Sequence, residues 1–198
     1  MADCISYKLT GIGLGDGCKA GVGGILSLYL IDAANVTVTF PEVPESGEVE
    51  GELEIKDIKL NNANKFREFK FNPNTGSMTT TFETDETRSY NVFTTEVALQ
   101  FMGLDSAKRM QIMAMCLNQV VAVVKDANKN YWLLGDPNGN IVQASAATAV
   151  TGVGAREFNG YTVTLKTEST ELPYRLSATA QAKFEAGENS IVASGSED

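Results

Sequence analysis

The sequence predicts a mainly β fold, a β-sandwich or barrel with one packed α-helix at about residues 105–117 and extended arms or hairpins. Three observations carry that expectation. Short runs rich in β-branched and aromatic residues recur along the chain, each closed by Gly, Pro, Asn or Asp. A single stretch, from Asp105 to Leu117, repeats apolar residues at helical spacing. The longest apolar run, Ile25 to Ile31, is broken by Ser27 and falls far short of the ~20 residues that a membrane-crossing helix needs.

Taken in order, the chain opens with Gly11, Gly13, Gly15, Gly17, Gly21, Gly23 and Gly24, a segment whose ordering costs much backbone entropy, so 1–24 reads as an arm. From Gly24 to Thr39, Ile25, Tyr29, Ile31 and Val36 to Thr39 predict two strands parted by the turn Asp32-Ala33-Ala34-Asn35. Pro41, Pro44, Ser46 and Gly47 punctuate the chain before Glu48 to Ile55, which alternates with period two. As one strand it would set Glu48, Glu50, Glu52 and Glu54 on one side, about 6.6 Å apart, against Val49, Gly51, Leu53 and Ile55. Such a stripe suits either a solvated, defended edge or the negative wall of a channel.

Phe66, Phe69 and Phe71 lead into the turn Asn72-Pro73-Asn74-Thr75-Gly76-Ser77, and Met78 to Thr84 reads as the returning arm of a hairpin. Tyr90 to Phe101 is extended. In the helix, capped by Asp105 or Ser106, Ala107, Met110, Ala114 and Leu117 share one face, widened by Met113 and Cys116; Met110, Met113, Ala114 and Leu117 are its expected core residues. Val120 to Val124 and Tyr131 to Leu134 flank Lys125 to Asn130 as a second hairpin, ended by the turn Asp136 to Asn140. Small residues fill 143–154. Strands follow at Tyr161 to Thr167 and Tyr174 to Ala182, then a mobile acidic tail over 185–198. The whole, 1–198, reads as a single β-rich domain.

Composition removes several functions. The net charge of -9 repels phosphate backbones and anionic lipid, so neither specific nucleic-acid binding nor membrane association is expected. With no histidine, His-dependent nucleophile systems, His acid–base catalysis and HExxH metal sites are excluded, and Cys4, Cys18 and Cys116 form no CxxC pair. Reduced, buried thiols are the expectation for all three cysteines, and no spacing argument supports a Cys4–Cys18 bridge. Gly11 to Lys19 lacks the third glycine of a dinucleotide loop and any Gly-Lys-Ser/Thr. Asp126, Asn128 and Asn130 occupy the first ligand positions of a calcium loop, but Tyr131 replaces its glycine and Pro137 its glutamate. No catalytic, cofactor or metal residue is assigned, and Met1 to Thr10 shows no secretory pattern, so a non-catalytic protein of the cell interior is expected.

The stretch from Leu9-Thr10-Gly11 to Cys18, with Gly23-Gly24-Ile25, Leu28-Tyr29 and Asn35-Val36, resembles the start of virion structural proteins of Bacteroidetes-infecting phages, crAss-like phages among them. Val120 to Asp126, Tyr131 to Gly135 with Asn138-Gly139, Thr151-Gly152 and Phe158 to Leu165 add to that resemblance, which covers well under half the chain. The order of elements is similar to the tail-tube family of long-tailed phages. The resemblance implies a virion subunit, assembled in the bacterial cytoplasm, that closes into stacked hexameric rings around a DNA passage and contacts other virion proteins. It also implies inter-subunit contacts through the arm (Gly11, Gly13, Gly15, Gly17) and the hairpin (Asn72, Asn74, Gly76), with Glu48, Glu50, Glu52 and Glu54 facing the lumen. A neck or head-completion ring and a capsid-decoration protein are alternatives. So is a carbohydrate or host-surface binding module, with Trp132 and Tyr131 as its stacking platform.

Overall fold

The computed structural model describes residues 6–7, 23–41, 48–49, 53–61, 64–72, 74–85, 90–135, 141–154, 156–188 and 190–192. In chain order its strands begin with β1 (Ser6–Tyr7), β2 (Ile25–Asp32), β3 (Val36–Thr39), β4 (Glu48–Val49), β5 (Glu54–Ile55) and β6 (Asp57–Leu60). Then come β7 (Phe66–Lys70), β8 (Gly76–Asp85), β9 (Tyr90–Met102), helix α1 (Ser106–Leu117), β10 (Val120–Asp126) and β11 (Tyr131–Leu134). The chain continues through β12 (Gln143–Val150), β13 (Gly160–Ser169), β14 (Tyr174–Leu176), helix α2 (Ala178–Glu185) and β15 (Ser190–Val192). The protein is mainly β, and among the described residues no sheet closes into a barrel.

A seven-stranded sheet in the order β15-β7-β2-β10-β11-β14-β5 is the spine. Its centre, β2 against β10, explains why both strands are apolar without alternation: successive side chains point to opposite faces, and both faces are covered. Leu28 and Leu30 of β2, with Val120, Ala122 and Val124 of β10, meet Val97 and Leu99 of β9 and Val163 and Leu165 of β13. Tyr29, Ile31 and Val123 enter a second core with Ile55, Ile58, Phe66, Leu133, Leu176 and, from α2, Ala180 and Phe184. Each fully buried Leu, Ile or Val contributes about 1.5–3 kcal/mol. The four-stranded sheet β12-β13-β9-β8 thus covers one face, and α2 with the antiparallel ribbon β3–β6 covers the other.

Inside the second core lies a buried carboxylate. Glu68 Oε1 accepts from Ser27 Oγ at 3.0 Å and from Tyr29 OH at 2.9 Å. Those bonds satisfy a group that would otherwise be costly to bury. Burial first, and then this contact, push the Tyr29 phenol far above its ordinary pKa.

Four expectations are corrected. A second helix stands where a strand was expected from Tyr174 to Ala182. Only Tyr174–Leu176 is extended; Ser177 then caps α2, accepting from Ala180 N, and Ala180 and Phe184 at i,i+4 reach the core, where the Phe184 ring lies 5.1 Å from Tyr29 and 5.2 Å from Phe66. Glu48 to Ile55 is not one strand, because β4 pairs with β1 in a sheet of its own while β5 pairs with β14. The turn at Asn72 forms, with Thr75 N donating to Asn72 O at 3.2 Å and Asn74 at φ 65°, but it is a corner between sheets and not a hairpin. β7 is held between β2 and β15, since Phe66 and Glu68 find burial there that a Thr-rich partner cannot supply, and β8 pairs with β9 instead. The tail expected to be mobile contains β15, paired with β7. The small-residue stretch left unassigned is β12. The hairpin β10–β11 and the strands at 25–39, 90–101 and 161–167 stand as expected.

Gly160, at the start of β13, sits where an added Cβ would lie 2.1 Å from Phe101 O. Gly160→Ala should therefore lower unfolding stability by about 3 kcal/mol or more, while Gly154→Ala, with nothing within 4 Å, should stay within about 0.5 kcal/mol; chemical denaturation measures both.

Lys183 of α2 donates to Asp57 of β6 at 2.8 Å, and this hydrogen bond holds the Asp57 carboxyl below its usual range. A carboxyl depressed by folding adds stability that is full above its unfolded pKa and lost as pH falls through the folded one. The stability gap between wild type and Lys183→Met should therefore be constant near neutrality and shrink below about pH 4, as followed by denaturation at a series of pH values.

Candidate assembly surface

Strand edges differ sharply between the two large sheets. The seven-stranded sheet ends on β15, with three residues, and β5, with two, and edges so short offer little backbone to a stranger. The four-stranded sheet ends on β8, with ten residues, and β12, with eight. Among the described residues neither has a second neighbour, apart from the Val120–Val142 bridge just before β12. β12 reads QASAATAV, without a charge, and every residue but Ala144 is exposed. Nothing on it discourages pairing with another strand. Helix α1 lies close to it.

The outer face of this sheet is a wall of hydroxyls. Ser77, Thr79 and Thr81 of β8, Thr94 of β9, Thr162 and Thr164 of β13 and Thr148 of β12 stand side by side by register. Thr148 and Thr162 share a hydrogen bond, and Ser145 Oγ donates to Thr164 O at 3.2 Å. At one end Glu83, Glu96 and Glu168 surround Lys166, whose Nζ lies 2.7 Å from Glu168 Oε1; hydrogen bonding to Glu168 raises the Lys166 pKa. The face is polar and mildly acidic.

Helix α1 is turned the other way round from the expectation. Asp105 caps it, accepting from Lys108 N at 2.7 Å, but the residues that enter the core are Ile112 and Met115. Met110, Met113, Ala114 and Leu117 are exposed, Leu117 at 77%. Spacing alone allowed two apolar stripes on this helix, and the packing chose the β-branched Ile112 with Met115 against β2 and β10. The rejected stripe, Met110-Met113-Leu117 at i, i+3, i+7, faces solvent with Met102 and Leu104 just before it. Cys116 is also exposed, contrary to expectation, and unpaired.

Other expected site residues are scattered. Gly11, Gly13, Gly15 and Gly17 lie outside the described residues, as do Glu50, Glu52, Cys4 and Cys18. Glu54 is half-buried at the sheet edge, its Oε1 3.8 Å from Arg175 Nε, and so belongs to no exposed acidic row. Asn72, Asn74 and Gly76 form the corner that leads into β8, beside the sheet but not projecting as a hairpin arm. Tyr131 is fully buried in the second core and takes no part in a platform with Trp132. Asp126 is engaged by its own turn: Oδ1 accepts from Asn128 N and Asn130 N, each at 2.8 Å, and Oδ2 from Asn130 Nδ2 at 3.1 Å and Trp132 Nε1 at 3.0 Å. Its lone pairs organise the β10–β11 turn. Among the described residues no group of three or more Cys, Asp or Glu is placed to hold a metal, and no helix is long and apolar enough to cross a membrane.

Compared with protein-family models, curated proteins and solved structures, the chain matches none of them.

The inverted helix is directly testable. Leu117→Ser should leave stability within about 0.5 kcal/mol, whereas Ile112→Ala should cost about 2–5 kcal/mol, with thermal and urea unfolding as the readout.

Proposed function

We propose that this chain is a non-catalytic structural subunit that assembles with copies of itself, and specifically a tail-tube-like virion protein of a long-tailed phage. One observation carries the reading: a four-stranded sheet bounded on both sides by long, exposed strand edges, one of them without charge. A free edge satisfies its backbone groups by pairing, and when β12 of one copy meets β8 of the next, the contact is head-to-tail and generates a ring if the rotation closes. In that arrangement the two-sheet packing acts as a β-sandwich, and the hydroxyl face of β8, β9, β12 and β13 turns to the lumen. Its excess of carboxylates offers a phosphate backbone no grip, so DNA slides past without adhering. This face replaces the Glu48 to Glu54 row as the candidate wall. The resemblance of Leu9 to Cys18, Val120 to Asp126 and Phe158 to Leu165 to virion proteins of Bacteroidetes-infecting phages supports the same reading.

Negative-stain microscopy and sedimentation of the purified protein should show rings or short tubes with a central hole. Ala147→Lys on the β12 edge should abolish them and leave the Tm within a few degrees, because the position is exposed in the single copy. A wild-type protein that remains a monodisperse monomer at high concentration would overturn the proposal.

A further inference from the structure

The seven-stranded sheet has more strands than the four-stranded sheet packed on it, and its β11-β14-β5 flank carries an ordered row of side chains. Register sets Arg175 of β14 directly opposite Trp132 of β11, and Glu54 of β5 directly opposite Arg175. Trp132 alternates with Tyr131 and Leu133, which enter the second core, so it points to the other face, as do Arg175 beside Tyr174 and Glu54 beside Ile55. Indole, guanidinium and carboxylate therefore stand in line on adjacent strands about 4.8 Å apart. They border a cleft of about 520 Å³ whose remaining walls include Phe93, Leu172 and Pro173. A largely apolar cleft with a few convergent polar groups, in this size range, is the usual form of a small-ligand site.

We propose that this cleft binds a neutral saccharide, the Trp132 ring stacking on the apolar face of a pyranose while Arg175 and Glu54 hydrogen-bond its hydroxyls. The ring is set in advance. Its Nε1 donates to Asp126 Oδ2 at 3.0 Å, and Asp126 is itself held by Asn128 and Asn130, so the indole keeps its orientation and offers a ligand its face. Ordering that has already taken place does not weaken binding. Arg175 and Glu54 touch only loosely, Nε to Oε1 at 3.8 Å, and their side chains are 45% and 28% exposed. The pair holds both donors and acceptors, as a ring of hydroxyls requires, and with Glu171 as a second carboxylate in the lining the cleft has no net positive charge to favour an anion over a neutral sugar. An apolar peptide side chain would fill the same walls but strip water from the guanidinium and carboxylate without replacing it, a cost that a polyhydroxylic ring avoids. The site is independent of the edges β8 and β12, so it stands or falls apart from the assembly reading.

Trp132 is the only tryptophan in the chain, so its emission reports the cleft without labelling. The full-length protein is titrated with maltohexaose, cellohexaose, xylohexaose and chitohexaose, and calorimetry checks any response. At least one should give a saturable emission change, weakened about tenfold or more by Arg175→Ala, the scale of a lost hydrogen bond to a charged group. Glu54→Gln serves in its place should Arg175→Ala fail to reach the wild-type Tm. No saturable change with any of the four up to their solubility would overturn the proposal, as would binding undiminished in the folded variant. Emission that follows protein concentration and not sugar would overturn it too, and would assign the cleft to contact with a second copy.

Discussion

The antiparallel pairing of β2 with β10 is the constraint on which the remaining architecture rests. From Val120 opposite Asp32 to Lys125 opposite Ser27 the two strands present apolar side chains to both sides at once. A sheet whose centre is apolar on both faces is stable only when both are covered. One cover is the four-stranded sheet with α1, and the other is α2 with the β3–β6 ribbon. A one-residue slip of β10 would exchange Ala122 and Val124 with Val123 between two cores of different shape.

The covers are unequal in extent, and the surfaces with functional interest follow from that inequality. The four-stranded sheet reaches over β2 and β10 but leaves the row Trp132, Arg175 and Glu54 at the rim of a cleft. On its other side it ends on β12, which has helix α1 near it and exposed residues along its length. The two features sit on different elements and make different demands. An edge needs only backbone and small side chains, whereas the cleft depends on a fixed ring and a charge pair. A structural subunit that also holds a ligand is compatible with both.

Much of the local structure was legible in the residues. The turn from Asp126 to Asn130 and the extended runs at 25–39 and 90–101 depend on contacts within a few residues and are legible in the sequence, which also narrows the cap of α1 to Asp105 or Ser106; the structure selects Asp105. Helix α2 was missed although Ser177, three alanines and Gly187 mark its ends and interior, because Tyr174 and Leu176 begin a real alternation that the helix then interrupts. Strand β12 was missed because its alanines have little intrinsic preference for strands. The direction of α1 was misread because Met110, Met113 and Leu117 make as regular a stripe as the residues that are actually buried.

By itself the sequence determined the class of the protein: mainly β, acidic, without histidine chemistry, with turns placed by Asn, Asp and Gly. Those properties are local or compositional, and short-range sterics and charge are enough to set them. Only the tertiary structure decided which stripe of α1 is buried, that the chain turns a corner at Asn72 to change sheets, that Tyr131 and Trp132 face opposite ways into a core and a cleft, and which strand edges stay open. Each of these is a choice between locally equivalent alternatives, and burial against residues distant in the chain is what separates them.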